Sequence, residues 1–270
     1  MVSSVSPAIT TTNLTRRFDS VLAVDALTLS IDAGTIFGLL GPNGAGKSTT
    51  IKMLTTLLPP SSGGGLVAGF DIIREPKRVR RAIGYVPQMV SADGALTGTE
   101  NMALSAALYD IPRRSRTGRI HDALEFMGLA DAARQLVRTY SGGMVRRLEI
   151  AQALLHQPAL LILDEPTIGL DPIARHAVWD RLRESRRQFA TTVLLTTHDM
   201  EEADVLCDRL VIMHRGQVAA SGSPAELKAR AGPDASLDDA FAAFAGSTIA
   251  ADEGTFRDIS NRRRTARRLG

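Results

Sequence analysis

One glycine-rich segment has the residue types and spacing of a phosphate-binding loop. It runs Gly41-Pro42-Asn43-Gly44-Ala45-Gly46-Lys47-Ser48-Thr49. Glycines let the backbone approach phosphate oxygens closely and present N–H donors, and a helix beginning there adds positive potential. The Lys47 ammonium can reach β- and γ-phosphates and act in catalysis, while the Ser48 hydroxyl can bind Mg²⁺. The segment therefore predicts a site for a nucleoside triphosphate and magnesium.

Two adjacent carboxylates follow an apolar run and suit the same chemistry. Leu160 to Leu163 is continuous in apolar residues, and Asp164 and Glu165 come directly after it. Asp164 at the end of a buried strand could hold Mg²⁺ through its water shell. Glu165 could orient or deprotonate an attacking water, although two solvated acids at a strand end are the plain alternative.

The elements that must position these groups alternate between apolar runs and helical patterns. Short apolar runs indicate buried strands and hence an α/β fold with a mainly parallel sheet. An antiparallel flap is expected before them, from Ala8 to Arg17 and from Val21 to Ile31. The buried strands are expected at Thr35–Leu40, Ile83–Val86, Leu160–Leu163, Thr192–Thr196 and Leu210–Met213.

Between Gln88 and about Leu155 the strand pattern is replaced by helical spacing, which predicts a helical subdomain at about residues 89–155. Its helices are expected at Thr99–Tyr109, Arg116–Met127 and Met144–His156. Two short helices, Pro224–Arg230 and Ser236–Phe244, are expected after the core.

Composition and charge narrow the possible partners. The net charge is +3, but residues 257–270 contribute +5, so residues 1–256 carry −2 and provide no basic field for nucleic acid. The single cysteine, Cys207, excludes an internal disulfide and fits a reducing cytoplasm. No apolar run reaches the ~18–20 residues of a membrane span, and the first 12 residues do not resemble a secretory signal. We expect the arginine-rich tail to be disordered. It could be simply solvated or in contact with anionic lipid headgroups, and nucleic-acid binding is the third alternative.

Four further motifs extend the two already described. They are Gly84-Tyr85-Val86-Pro87-Gln88, Tyr140-Ser141-Gly142-Gly143-Met144, Gly169-Leu170-Asp171-Pro172 and Thr196-Thr197-His198-Asp199. With the phosphate loop and the carboxylate pair, they resemble in type and order the six motifs of the ATP-binding subunits of ABC transporters, from about Thr10 to Gly222. The resemblance implies a P-loop NTPase (RecA-like) core with an antiparallel β flap and an inserted helical subdomain. It places an ABC-type ATP-binding domain at 8–230, a short helical extension at 231–256 and the basic tail at 257–270.

Three residues gain roles in the chain's own site from this resemblance. Gln88 would contact Mg²⁺ and relay its presence to a hinge, and its loop would meet a membrane subunit. His198 would sense the γ-phosphate and steady Glu165 and the water. Phe18 would stack on adenine, since a π-face suffices there. Taken singly, these residues could instead be a surface loop residue, a structural histidine and a core aromatic.

Other residues would serve a second copy of the chain. Ser141, Gly142 and Gly143 open a predicted helix, and the resemblance implies that they contact the γ-phosphate of ATP bound to the opposite subunit. A plain helix N-cap at Ser141 is compatible with that role. Asp171 would also contact the partner's site. Together these roles imply a head-to-tail homodimer around two Mg–ATP.

Two departures from the usual family pattern indicate a branch. The motif Tyr140–Met144 resembles the signature motif of the family, but Tyr140 and Met144 stand where leucine and glutamine are usual. The segment Val145-Arg146-Arg147-Leu148-Glu149 follows it. This segment, with Ser236-Leu237-Asp238-Asp239-Ala240-Phe241, resembles the daunorubicin-resistance-type exporters.

The resemblance implies an ATP-hydrolysing motor of an exporter of the drug, antibiotic or lipid class. It would work with separate transmembrane permease subunits at the cytoplasmic face of the cell membrane. The alternative is a soluble, non-transport ATPase of the same group, acting as a regulatory or ribosome- or DNA-associated switch.

Overall fold

The chain folds around two β-sheets, and the computed structural model describes residues 6–246. The strands are β1 (Ile9–Phe18), β2 (Val21–Ile31), β3 (Ile36–Leu40), β4 (Ser62–Val67), β5 (Phe70–Asp71), β6 (Ile83–Val86), β7 (Leu160–Asp164), β8 (Thr192–Thr197), β9 (Arg209–His214) and β10 (Gln217–Gly222). The helices are α1 (Lys47–Leu54), α2 (Pro76–Ala82), α3 (Gly98–Leu108), α4 (Arg113–Phe126), α5 (Gly142–Leu154), α6 (Pro172–Phe189), α7 (Met200–Leu206), α8 (Pro224–Ala231) and α9 (Leu237–Phe244). Short 3₁₀ turns lie at Ala130–Ala132 and Val137–Thr139.

The larger sheet carries the chemistry. Its order is β10-β9-β3-β8-β7-β6, and among the strands described in this sheet all neighbours are parallel except the β9–β10 pair, which is antiparallel. All residues of β3, β7 and β8 are buried, which explains their continuous apolar runs. The register pairs Leu40 with Thr197 and Asp164 with Thr196, so the carboxyl ends of these strands meet at one edge. The predicted mainly parallel sheet is confirmed.

The smaller sheet is antiparallel, with the order β2-β1-β4-β5. Strands β1 and β2 confirm the predicted flap. Strand β4 is not apparent from the sequence because it begins Ser-Gly-Gly-Gly. A Cβ at Gly63, whose φ is +71°, would lie 2.0 Å from the Asn13 carbonyl oxygen. Glycine is therefore needed where β4 meets β1.

Helices α3, α4 and α5 lie between β6 and β7, within the interval predicted for the helical subdomain. Met102, Leu124 and Leu148 pack in their common core. Helix α3 begins with a capping box between Thr97 and Glu100. The helices therefore match the prediction in number and place, with ends shifted by one to three residues.

The last two helices cover the β9–β10 end of the larger sheet. Leu227, Leu237 and Ala240 pack with Ile212 in one apolar cluster. Ser223 and Ser236 each close a capping box, so both predicted helices form where expected. Residues 247–256 of the predicted extension and the whole tail, 257–270, lie outside the described residues, and the domain boundaries stay predictions. In residues 6–246, no helix combines the length and hydropathy needed to cross a bilayer.

Candidate nucleotide site

A cavity of about 570 Å³ opens above the carboxyl end of β3, within the range typical of small-molecule sites. The phosphate loop forms its floor between β3 and α1. Gly46 at the start of α1 has a φ of +102°, and a Cβ there would lie 2.5 Å from the Ala23 carbonyl oxygen. The lining residues are Phe18, Val21, Leu22, Ala23, Pro42, Asn43, Gly44, Ala45, Gly46, Lys47, Ser48, Thr49, Gln88, Glu165 and Arg215.

The Lys47 ammonium is held in the centre of the loop. Its Nζ donates to the carbonyl oxygens of Gly41 at 2.7 Å and Pro42 at 3.2 Å, and it lies 3.4 Å from Glu165 Oε1. Both charged side chains are buried, with 3% and 6% of their surfaces exposed. A positive charge is thus fixed at the floor of the cavity, where an anionic ligand can approach it.

Asp164 connects the phosphate loop to strand β8. Its Oδ1 accepts from Ser48 Oγ at 3.0 Å and from Thr196 Oγ1 at 2.6 Å. Burial, with the nearby Asp164 carboxylate, raises the pKa of Tyr85 to about 12, so this phenol stays protonated. The Ser48 hydroxyl oxygen and the Asp164 carboxylate oxygen thus lie 3.0 Å apart beside the loop, and both are oxygen ligands of the kind that Mg²⁺ prefers.

Glu165 bridges two basic groups. Its Oε1 faces Lys47, and its Oε2 lies 3.1 Å from His198 Nδ1. Its backbone has a φ of +49°, and its N–H donates to the Thr196 hydroxyl at 2.9 Å. Non-glycine residues in this conformation are uncommon and cluster at functional sites. The geometry suits a carboxylate that orients a water in front of a phosphate.

Phe18 and Gln88 lie at the cavity's rim. Phe18 is the last residue of β1 and is 41% exposed, with the Arg16 guanidinium carbon 4.6 Å from its ring centroid. This exposure disfavours the core alternative and leaves ring surface accessible to the cavity. Gln88 follows β6, and its carbonyl oxygen accepts from the Arg146 guanidinium at 3.1 Å.

The signature residues and Asp171 are not in this cavity. Ser141 caps α5 by accepting from the Met144 N–H at 3.3 Å, as the plain alternative predicts. Asp171 caps α6 by accepting from the Ala174 N–H at 2.9 Å. A Cβ at Gly143 would lie 2.6 Å from the Ala174 side chain, so the two helix N-termini pack side by side. The α5 N-terminus, capped by the neutral Ser141, is a second helix end that can attract an anion, whereas Asp171 places a carboxylate at the α6 N-terminus beside it.

Several residues of the site were not predicted from the sequence. Val21, Leu22, Ala23 and Arg215 line the cavity, and Thr196 bonds to both members of the carboxylate pair. Their roles carry no local signal: Thr196, although it begins one of the quoted motifs, is a residue type common in strands, and Arg215 lies in the β9–β10 turn, far from the phosphate loop in sequence.

A phosphate loop, a strand-end aspartate and a following glutamate at one edge of a parallel sheet define a P-loop nucleoside triphosphatase. Residues 24–168 match the ABC transporter family, and the chain belongs to it. It is an ATP-binding ATPase of that family, as the resemblance implied.

Comparison with known proteins supports this placement. The chain is 47% identical over 225 residues to the daunorubicin/doxorubicin resistance ATP-binding protein DrrA of Streptomyces peucetius, covering 83% of this chain and 68% of that one. It is 40% identical over 259 residues to the Nod factor export ATP-binding protein I of Burkholderia lata, covering 92% and 85%. A solved dimer of the ATP-binding cassette MJ0796, in a post-hydrolysis state bound to ADP and Pi, superposes with a TM-score of 0.72 at 25% identity, covering 80% and 98%. The predicted resemblance to the daunorubicin-resistance branch is confirmed.

Proposed function

We propose that two copies of this chain close around two Mg–ATP and power an exporter through a separate membrane subunit. One observation carries the proposal: Ser141, Gly143 and Asp171 lie together, but outside the cavity that holds Lys47 and Glu165. Each chain thus presents a nucleotide cavity and, apart from it, a helix end that can attract an anion. A head-to-tail pair brings the surface of one copy to the cavity of the other.

The residues present suit magnesium. Mg²⁺ prefers oxygen ligands and is usually held by one or two protein groups together with substrate phosphates. Ser48, Asp164 and Gln88 supply such oxygens, and the described residues contain no cluster of three or more His, Cys, Asp or Glu able to hold a metal alone. When bound, the ion would neutralise developing charge on the phosphates.

Hydrolysis is then a matter of positioning. Lys47 binds β- and γ-phosphate oxygens, releasing part of its interaction with Glu165. Glu165 orients the attacking water and accepts its proton. His198, which already contacts Glu165 Oε2, holds that carboxylate and senses the γ-phosphate. Phe18 stacks on the adenine.

ATP acts as the link between the two copies. Its γ-phosphate is held by Lys47 and His198 of one copy and by the Ser141–Gly143 helix end of the other. Hydrolysis and phosphate release remove contacts that exist only in the closed state, so the dimer loosens.

We place the docking surface for a membrane subunit at the loop that follows Gln88. Met89 is 82% and Val90 66% exposed there. Two adjacent exposed apolar side chains beside Gln88 support an interface at this point. Docking there would hold the chain at the cytoplasmic face of the membrane and link Gln88 to the transport path.

The relatives' names favour an exporter and suggest the class of cargo. One is a resistance protein for daunorubicin and doxorubicin, and another exports Nod factor. We therefore propose a drug, antibiotic or lipid-like cargo, which the membrane subunit selects. The arginine-rich tail, outside the described residues, would add contact with anionic headgroups. Deleting residues 257–270 and measuring liposome binding at low and high salt tests that contact.

The experiment for the whole proposal is reconstitution with the transmembrane permease subunit that co-purifies with this chain from membranes. Inside-out vesicles should accumulate daunorubicin only with ATP, and vesicles carrying Glu165→Gln should not. ATPase activity without any membrane binding or transport would instead support the soluble alternative.

A further inference from the structure

Six charged side chains are buried among the described residues: Lys47, Arg146, Glu149, Asp164, Glu165 and Glu202. Lys47, Asp164 and Glu165 belong to the phosphate site. Arg146 and Glu149 form a separate ion pair on α5, with 3.0 Å between guanidinium and carboxylate and side-chain exposures of 6% and 1%. A buried ion pair is costly to desolvate and contributes little net stability, so its presence calls for another reason.

The pair holds the chain on both sides of Gln88. The Arg146 guanidinium donates to the carbonyl oxygens of Pro87 at 2.8 Å and Gln88 at 3.1 Å. Glu149 Oε1 accepts from Ser91 twice, from the hydroxyl at 2.9 Å and from the backbone N–H. Every one of these bonds joins α5 to the segment 87–91.

Helix α5 is also the helix that Ser141 caps. Arg146 lies five residues and Glu149 eight residues after Ser141 along the same rigid element. Gln88 lines this chain's own cavity, whereas Ser141–Gly143 faces the partner in the proposed dimer. The ion pair therefore connects two nucleotide sites through one chain.

We infer that Arg146 and Glu149 are positioning residues that make the signature helix move with Gln88, so that each ATP influences the other. The inference rests on the proposed dimer and on the proposed contact of Gln88 with the nucleotide. Coupling between two sites requires a structural element whose position both sites influence. Helix α5 is such an element, together with segment 87–91, which the Arg146–Glu149 clamp holds against it.

Burial lowers the pKa of Arg146, and the negative charges of Glu149 and Asp164 partly offset this effect. The ion pair therefore lies within electrostatic reach of the phosphate site.

Arg147, the next residue, provides a matched control. Its guanidinium donates to the Met127 carbonyl oxygen at 2.9 Å, inside the helical subdomain and away from segment 87–91.

The first measurement is amide hydrogen exchange of residues 87–91 in the full chain without nucleotide. Removing one partner would leave the other charge buried and unpaired, so the main variant is Arg146→Met/Glu149→Leu, which replaces both. Exchange at Ser91 should become at least about tenfold faster in this variant and stay unchanged in Arg147→Met. Unchanged protection of Ser91 in the double variant would show that the Arg146–Glu149 pair does not hold segment 87–91 against α5, and would overturn this clamp.

The second measurement is steady-state ATPase activity against ATP concentration. The wild type should show a Hill coefficient near 2, and Arg146→Met/Glu149→Leu should fall toward 1 with ATP affinity within about twofold. Adding Gln88→Ala to this variant should cause little further loss of ATPase turnover, whereas adding it to Arg147→Met should give the full loss of turnover seen with Gln88→Ala alone. Additive losses of turnover in both backgrounds would overturn the coupling between Gln88 and the ion pair.

The two measurements keep the inference apart from the proposed function. If Gln88→Ala alone leaves turnover and magnesium dependence unchanged, the proposed role of Gln88 is wrong, and the coupling that rests on it falls too. Hydrogen exchange still judges the clamp in that case. Arg146→Lys should keep most of the Ser91 protection, because Glu149, which accepts from the Ser91 N–H, still faces a cation.

Discussion

Lys47 Nζ lies 3.4 Å from Glu165 Oε1, and both side chains are buried. The cation that would bind the γ-phosphate and the carboxylate that would activate water thus neutralise each other across the cavity floor. On the proposed mechanism, a triphosphate entering the loop would compete with Glu165 for Lys47. Binding of ATP would therefore free the carboxylate beside the γ-phosphate.

Glu165→Gln should keep ATP binding and reduce turnover by roughly 10²–10⁴, the usual size of a general-base contribution. Affinity should hold or improve, because the amide competes less strongly for Lys47. Turnover and ATP affinity are measured on the same preparation. Glu201→Gln, at an exposed position on α7, should behave as wild type, and undiminished hydrolysis in Glu165→Gln would remove Glu165 from this role.

Lys47→Ala should weaken ATP binding by about 10- to 100-fold, the size expected for a lost charge-assisted hydrogen bond. Titration with ATP in the absence of turnover gives the affinity directly. Lys52→Ala removes an exposed lysine from the same helix and should have no effect. Equal affinities for wild type and Lys47→Ala would contradict the assignment of the phosphate loop.

Thr196→Val should raise the magnesium concentration needed for half-maximal ATPase activity by about tenfold. The Thr196 hydroxyl donates to Asp164 Oδ1 at 2.6 Å, and such supporting bonds typically tune metal affinity by 10- to 100-fold. Thr192→Val is the control, since that hydroxyl accepts from the Gly34 N–H at the other end of β8. An identical magnesium dependence in all three proteins would show that Thr196 does not orient Asp164.

His156 should make the fold sensitive to mild acid. Burial lowers its pKa from 6.5 to about 4, its Nε2 lies 3.1 Å from the Ile83 carbonyl oxygen, and its Nδ1 is buried without a partner. Since the unfolded chain binds the proton more readily, stability is full above pH 6.5 and falls as the pH drops toward 4. The loss should be about 2 kcal/mol once partial exposure is allowed for.

Urea unfolding between pH 7 and 4 measures this effect. His156→Phe keeps the stacking on Tyr109, whose ring lies 3.8 Å away, and should flatten the pH dependence by that amount. His121→Gln changes an exposed histidine and should not. If the free energy of unfolding depends on pH in the same way in wild type and His156→Phe, His156 is not the source of the acid sensitivity.

The sequence predicts the parts of this protein that are local in the chain. The phosphate loop, the Asp164–Glu165 pair and the strands β3, β7 and β8 follow from spacing and continuous burial. Helix α2 does not, because it buries only Val79 and is otherwise strongly charged. Strand β4 is not predicted either, because it begins with three glycines, which are uncommon in strands. At Gly63 glycine is needed because β1 comes too close for a side chain.

Relationships between distant segments are beyond such reasoning. The Lys47–Glu165 contact joins residues 118 positions apart, and the bonds from Arg146 to Pro87 and Gln88 span 59 and 58. Sequence spacing fixes neighbours along a strand or helix, whereas these contacts depend on how the sheet and the helical insert pack. Roles assigned by resemblance fill part of that gap, and all of them stay predictions: those of Phe18, Gln88, Ser141, Gly142, Gly143, Asp171 and His198.

Complementation between two inactive chains tests most directly whether each nucleotide site needs two copies. Lys47→Ala lacks a working loop but keeps its signature, and Ser141→Arg lacks a working signature but keeps its loop. Each alone should be inactive, and an equal mixture should recover up to about a quarter of wild-type ATPase activity, since half of randomly paired dimers have one intact site. Full activity of Ser141→Arg alone, or no recovery on mixing, would contradict a site shared between two chains.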